Sequence, residues 1–185
     1  MTITKITLNQ IRALYYHQMP MDFPAEEIKP LAMIEQSFAL GQYHGYICRQ
    51  GDKTLAYALF VGMGKHALFD YYAVRQDLRG QGLGSAFIQA LIDGPLQSKD
   101  VVLLEVEDPD CATTPQDKNK RERRLYFYLR NRLSDTGVRS IVNHVPYRVL
   151  SLPMEHPMAK ADIRRIYAEL YKTTLPDRPF QPILP

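Results

Sequence analysis

The stretch that most restricts the fold lies at residues 68–85. A strand-like run rich in aromatics, Leu68-Phe69-Asp70-Tyr71-Tyr72-Ala73-Val74, passes through Arg75-Gln76-Asp77-Leu78 into Arg79-Gly80-Gln81-Gly82-Leu83-Gly84-Ser85. A helical pattern follows and ends near Gly94-Pro95, with Ala86, Phe87, Ala90 and Leu91 expected on its buried side. The run at 101–106 is almost wholly apolar, as a buried central strand requires. Strand, glycine turn, helix and buried strand in that order commit the chain to an α/β architecture. The turn also has chemical content. The first amides of a helix have no partner inside it, and the helix dipole favours negative charge there. Glycines let main chain approach a phosphate closely, and Arg79 adds a cation, so the run suits a pyrophosphate.

Two common nucleotide motifs do not fit. The Walker pattern needs Lys before the Ser or Thr, and Gly84 precedes Ser85. The dinucleotide fingerprint needs a third Gly where Ser85 stands. Gly62-Met63-Gly64-Lys65-His66-Ala67 fits a G-x-G-x-x-A pattern, but a strand follows it rather than a helix. An ordinary loop before a helix would satisfy the spacing of 79–84 equally well.

The remaining elements follow from periodicity and turn residues. Helices are expected at 8–16 and from about 29 to 40, the second with Leu31, Ile34 and Phe38 on one stripe, with a turn at 19–24 between them. Strands are expected at 46–49, 55–61 and 68–74, with Gly51-Asp52-Lys53 as a hairpin turn. Beyond the buried strand come a polar loop at 108–117, a helix at 120–133, and strands at 139–143 and 147–152. Ile163, Ile166, Tyr167, Leu170 and Tyr171 share one face of a C-terminal helix, and the proline-rich end at 175–185 is expected to lack regular structure.

Bulk properties exclude several classes. In 185 residues, 45% are hydrophobic, enough for a sizeable core, and the formal charge is only +3. So weak a charge is no argument for a nucleic-acid partner, though it tolerates a polyanionic cofactor. Cys48 and Cys111 lack metal-ligand spacing, and His44, His66, His144 and His156 are scattered, so no metal site is expected. The N-terminal residues carry no signal-like apolar block and no run is long enough to span a membrane; a reduced, cytoplasmic chain is expected.

With these elements in place, Arg79-x-x-Gly82-x-Gly84 resembles the acetyl-CoA signature of the GNAT superfamily of N-acetyltransferases, (Q/R)-x-x-G-x-(G/A). Tyr71-Tyr72-Ala73-Val74 is similar to that family's fourth strand, and the element order over residues 5–153 agrees. The resemblance implies an α/β (α+β) fold with a mixed, mostly antiparallel central sheet, flanking helices and two splayed central strands. It implies acetyl-CoA as co-substrate, its pyrophosphate held by the amides of Arg79, Gly80, Gln81, Gly82, Leu83, Gly84 and Ser85. Ser85 caps the helix or bonds a phosphate. Ala73 and Val74 would offer main-chain hydrogen bonds to the pantetheine arm, and the family places a bulge in this strand. Phe127-Tyr128 takes the place of the family's Phe-Tyr pair, making Tyr128 the general acid for the leaving thiolate, with Tyr126 as fallback. Arg132-Leu133 stands where the family has Gly-Phe.

An amine attacks a thioester only when neutral, so a base is required. Glu105 is the first candidate, because it lies deeper in the buried strand; Glu107 and Asp70 are candidates for binding a cationic acceptor. Uncharacterised bacterial members of the superfamily carry a similar E-x-E-x-P, here Glu105-Val106-Glu107-Asp108-Pro109. Lys118, Lys120, Arg121, Arg123 and Arg124 open the helix that carries Tyr128, as a solvated face that contributes one arginine to cofactor phosphates. The expected unit is a GNAT-like domain at 1–153, with 154–185 belonging to it. The C-terminal helix covers the core, closes the acceptor site or pairs two subunits. The expected activity is direct acetyl transfer to a primary amine of a small molecule, amino acid or peptide. The rivals are a weakly active acyl-CoA-binding regulatory module and an acetyltransferase for aminoacyl nucleic acid.

Overall fold

The computed structural model describes residues 2–152, 158–174 and 183–184. Most of the proline-rich end and His156 lie outside the described residues. Seven strands form one sheet: β1 (Ile3–Lys5), β2 (Tyr43–Gln50), β3 (Lys53–Met63), β4 (His66–Val74), β5 (Val101–Glu107), β6 (Ser134–Val142) and β7 (Val145–Ser151), in the order β1-β2-β3-β4-β5-β7-β6. Every neighbouring pair is antiparallel except β4 and β5. The helices are α1 (Leu8–His17), α2 (Met19–Asp22), α3 (Leu31–Ala39), α4 (Leu83–Asp93), α5 (Pro115–Arg130) and α6 (Lys160–Thr174).

Alternation along the strands sends side chains to two cores, one on each face of the sheet. One face carries Tyr57, Leu59, Tyr71, Ala73 and Leu103 under α1, α3 and α6. The other carries Ala58, Phe60, Phe69, Val102 and Leu104 under α4 and α5. The buried side of α4 is Phe87, Ile88 and Leu91; Ala86, expected there, is exposed, because the helix is rotated so that Ile88 packs inward.

Helix boundaries moved for local reasons. Lys29 precedes Pro30, which disfavours helical geometry before it, so α3 starts at Leu31. At 19–24, where a turn is expected, Pro20 sits in the first turn of the short α2. Thr114 caps α5 through the Asp117 amide (3.1 Å) with Pro115 in its first turn, so this helix begins earlier than expected. It also ends earlier: Asn131 is the C-cap and Arg132 has φ +75°. The three-residue β1 is too short to show a period. Ile183 forms an isolated bridge to Ile141 on the outer edge of β6.

Two departures from a regular sheet shape its centre. Leu59 pairs with Tyr71 but Phe60 with Phe69, so Asp70 is an extra residue, a bulge in β4. The parallel pairing of β4 with β5 covers only 66–69 against 101–104. Beyond Phe69 and Leu104 the two strands are no longer paired with each other. The splay that the resemblance implies opens there.

Candidate active site

A cavity of about 830 Å³ fills the splay. One end meets Gly80, Gly82, Gly84 and Ser85; the other is bounded by Glu27, Lys29, Asp70, Glu105, Asn143, Tyr147 and Tyr171. Tyr72, Val74, Phe127 and Tyr128 also line it.

The glycine turn forms an anion cradle from main chain. Gly80 and Gly82 have φ of +78° and +81°, and a Cβ on either would meet nothing within 4 Å. Helix α4 starts at Leu83, and its first hydrogen bond runs from the Ala86 amide to Gly82 O (3.0 Å). Among the described residues, none of the amides of residues 80–85 donates to a main-chain acceptor outside the regular elements, and none to a side chain. Gly84 packs closely: a Cβ there would lie 3.2 Å from two ring carbons of Phe127, so that ring would have to shift to admit one. The Tyr72 hydroxyl donates to Gly84 O (2.6 Å) and ties β4 to the first turn of α4.

Arg79 differs from expectation. Its amide donates to Gln76 O (3.2 Å), its Nε to Val74 O (2.9 Å) and its Nη2 to Asp22 (3.0 Å). It staples the turn to the end of β4 and to α2 rather than offering an amide to a phosphate. Gln81 bonds Asp77 O (3.0 Å), and neither its side chain nor Leu83 lines the cavity. Ser85 lines the cavity but sits three residues into the turn; the N-cap is Gly82, so Ser85 is not the cap.

Main-chain direction along β4 corrects a second point. The Arg75 amide donates to Leu55 O of β3 (2.9 Å), and Tyr57 pairs with Ala73. Antiparallel pairs alternate between bonded and non-bonded, so Ala73 turns its N–H and C=O to β3, while Tyr72 and Val74 turn theirs to the splay. Val74 keeps an outward donor, its carbonyl being taken by Arg79. Ala73 does not face the opening with its main chain.

Tyr128 is buried on α5 and lines the cavity beside Tyr72, ring centroids 6.2 Å apart. Its hydroxyl has no hydrogen-bond partner among the described residues. Burial pushes the phenol up to about 12, with Arg124 opposing. Tyr126, the fallback, is 61% exposed and outside the cavity.

The three carboxylates separate. Glu105 lines the cavity and accepts hydrogen bonds from Tyr171 (2.5 Å) and Tyr167, both on α6. Burial outweighs the two phenols and the Lys29 cation, so its carboxyl lies above the ordinary glutamate value. Asp70, on the bulge, is paired with Lys29 and accepts from Tyr43 (2.5 Å). It lines the cavity with its charge already compensated. Glu107 is outside the lining; Arg124 binds one oxygen and Arg121 lies 3.8 Å from the other. Its role is to hold α5 on β5, which removes it as an acceptor ligand.

The basic cluster also divides. Arg121 is consumed by Asp117 (2.8 Å) and Asp108 O (3.1 Å), and Lys118 faces away. Lys120, Arg123 and Arg130 line the cavity on one stripe of α5 with Phe127, and Arg130 stacks 5.4 Å from the Phe127 centroid. Sequence reasoning missed Glu27, Lys29, Tyr147 and the α6 tyrosines. Tyr71 holds Glu27 and Lys29 in place: its hydroxyl donates to Glu27 O (3.0 Å) and accepts from the Lys29 amide (2.8 Å). Burial raises the Glu27 carboxyl, and so does Glu107, against Arg124 and Lys120. No short local motif links these positions; the one signal was the apolar stripe of the C-terminal helix, which left open that it closes the acceptor site.

The acetyltransferase (GNAT) family model matches residues 8–126. The chain belongs to the GNAT family. Among curated relatives, "Putative acetyltransferase YjbC" of Bacillus subtilis (strain 168) is 32% identical over 116 residues, 63% of this chain and 54% of that protein. The chain thus spans about half the length of the curated relative it matches. A GNAT-family protein of Bacteroides thetaiotaomicron superposes with TM-score 0.73 at 18% identity, over 96% of this chain and all of that one. A GNAT acetyltransferase of Elizabethkingia anophelis, solved with acetyl-CoA bound, gives TM-score 0.59 at 14% identity over 83% and 97% of the two chains. These likenesses establish the GNAT fold. No group of His, Cys, Asp and Glu that could hold a metal ion occurs among the described residues, and no helix among them is long and apolar enough to cross a membrane.

Proposed function

We propose that this GNAT protein moves the acetyl group of acetyl-CoA to a primary amine of a small molecule, amino acid or peptide by direct attack. The observation that carries the reading is one cavity with the unpartnered amides of residues 80–85 at one end and Glu105 at the other, and Tyr128 on its wall. Acetyl-CoA supplies a thioester carbon as electrophile and a thiolate as leaving group. The amides of residues 80–85 and the α4 dipole hold the pyrophosphate, with Arg123 or Arg130 as counter-charge. The outward groups of Tyr72 and the Val74 amide hold the pantetheine arm. Glu105 takes one proton of the attacking ammonium, the C–N bond forms as C–S breaks, Tyr128 gives its proton to the sulfur, and the second proton lost by the nitrogen restores the phenol. The cations of α5 line a cavity rather than an outer surface, which favours a small acceptor over an aminoacyl nucleic acid.

Calorimetric titration with acetyl-CoA tests the proposal, beside Gly82→Asp. A side chain there meets open space but is strained by the φ of +81°, and Asp adds a negative charge to the cradle, so Gly82→Asn is the uncharged control carrying the same strain. Saturable micromolar binding, weakened at least tenfold in Gly82→Asp, is the expected result. A folded wild type that binds nothing at millimolar acetyl-CoA overturns it.

A further inference from the structure

The match to the family model stops at residue 126, well before α6 begins at Lys160. Yet α6 reaches the cavity. Its buried face is Ile163, Ile166, Tyr167, Leu170 and Tyr171. Anchoring a helix on a sheet needs apolar area and no hydroxyls, and a buried phenol usually finds a partner. Here two of the buried residues carry hydroxyls, and both reach the same carboxylate. Tyr171 donates to one oxygen of Glu105 and Tyr167 to the other. Ser140 Oγ of β6 lies 2.8 Å behind the Tyr167 hydroxyl and can donate to it, so the chain of donors ends on Glu105. Each carboxylate oxygen keeps a lone pair beyond the one a phenol uses, and Glu105 lines the cavity.

We propose that Tyr171 and Tyr167 make α6 part of the active site, as positioning residues whose hydroxyls favour the charged form of the Glu105 carboxylate and aim it into the acceptor end of the cavity. The inference rests on the acetyl-transfer reading above and deepens it. The surroundings require such donors. The groups facing Glu105 are Tyr167 and Tyr171 of α6, Lys29 ahead of α3, Asp70 of β4 and Tyr147 of β7. Glu107, two residues on, is turned to the arginines of α5. Lys29 is the one cation in this set, and it is already paired with Asp70. Two carboxylates therefore share one ammonium, and the phenols supply the remaining stabilisation of negative charge. Lys29 also lies 5.3 Å from the centre of the Tyr171 ring, so the same tyrosine bears on both groups.

The test is a carbon-13 carboxyl NMR titration of Glu105, assigned with Glu105→Gln, in the wild type and in Tyr167→Phe, Tyr171→Phe and the double variant. Phe keeps the ring in place and removes only the donor. The Glu105 midpoint is expected to rise by about one pH unit for each phenol lost, since a donor to the charged form favours that form. In thiol release from acetyl-CoA with alaninamide as probe amine, the acid limb of kcat/KM is expected to move up with it. A purely structural role would lower Tm and leave both midpoint and limb in place; that result overturns the proposal. Acetyl-CoA calorimetry on the wild type separates the two readings. Absent binding overturns acetyl transfer, whereas unmoved midpoints in a binding, active wild type overturn the positioning role alone.

Discussion

Tyr128 and Tyr126 are two residues apart on α5, and that spacing puts them on opposite sides of the helix. Tyr126 is in solvent; Tyr128 is packed against Tyr72 and Phe127 with its hydroxyl unpartnered in the cavity. A raised phenol holds its proton at neutral pH, as a donor to a departing thiolate must. Tyr128→Phe keeps the ring contacts and removes only the proton. The expected result is a fall in kcat of roughly 10²-fold with acetyl-CoA binding and Tm unchanged, checked by thiol release, calorimetry and thermal melting. An unchanged kcat would end the acid assignment. At the same scale, Lys29 and Asp70 show how a sequence reading misleads. Asp70 reads as an acidic residue free for a substrate because its counter-ion is 41 positions away. Tyr171 and Glu105 are 66 apart. Pairings of that range are set by how the elements stack, and no local pattern encodes them.

Between elements, Asp108 joins three strands. It follows β5 and accepts from the Asp110 amide (3.1 Å) and from Arg148 Nε of β7 (2.8 Å), with Arg139 of β6 at 3.3 Å. Burial alone would raise its carboxyl, but the amide and the two arginines outweigh burial and hold it below the ordinary value of 3.8. A native carboxylate with a depressed pKa contributes stability above the unfolded value and loses it as pH falls through the folded one. Asp108→Asn is therefore expected to be less stable than the wild type near neutrality and to lose less stability from about pH 5 to 3. Urea unfolding across that range decides it; parallel curves would show that Asp108 does not link charge to folding. The elements themselves were legible where chemistry forces a residue type. The turn needed glycines at 80 and 82 for positive φ, and the apolar run of β5 announced a strand covered on both faces. What stayed hidden was orientation: which way Ala73 turns its main chain depends on the register with β3, and Arg79 found its partner on the distant α2.

Across the whole molecule, α6 is part of one of the two cores rather than an appendage. Its five buried side chains pack with Tyr57, Tyr71 and Leu103 of the sheet. At about 2 kcal/mol for each large buried side chain, they contribute on the order of 10 kcal/mol, comparable with the whole net stability of a typical domain. A chain ending at residue 158 is expected to lose its cooperative thermal transition, followed by far-ultraviolet circular dichroism. A transition within a few degrees of the full chain would show the core to be closed without it. The two ends of the cavity also differ in the material they are made of. Residues 80–85 offer main-chain N–H groups, while the opposite end is built from side chains of segments far apart in the sequence. An N–H survives nearly every codon change at its position, whereas a carboxylate or a phenol is lost in a single one. A single codon change can therefore remove a chemical group at the acceptor end, whereas at the other end it has to disturb the turn or bring in a like charge to do harm.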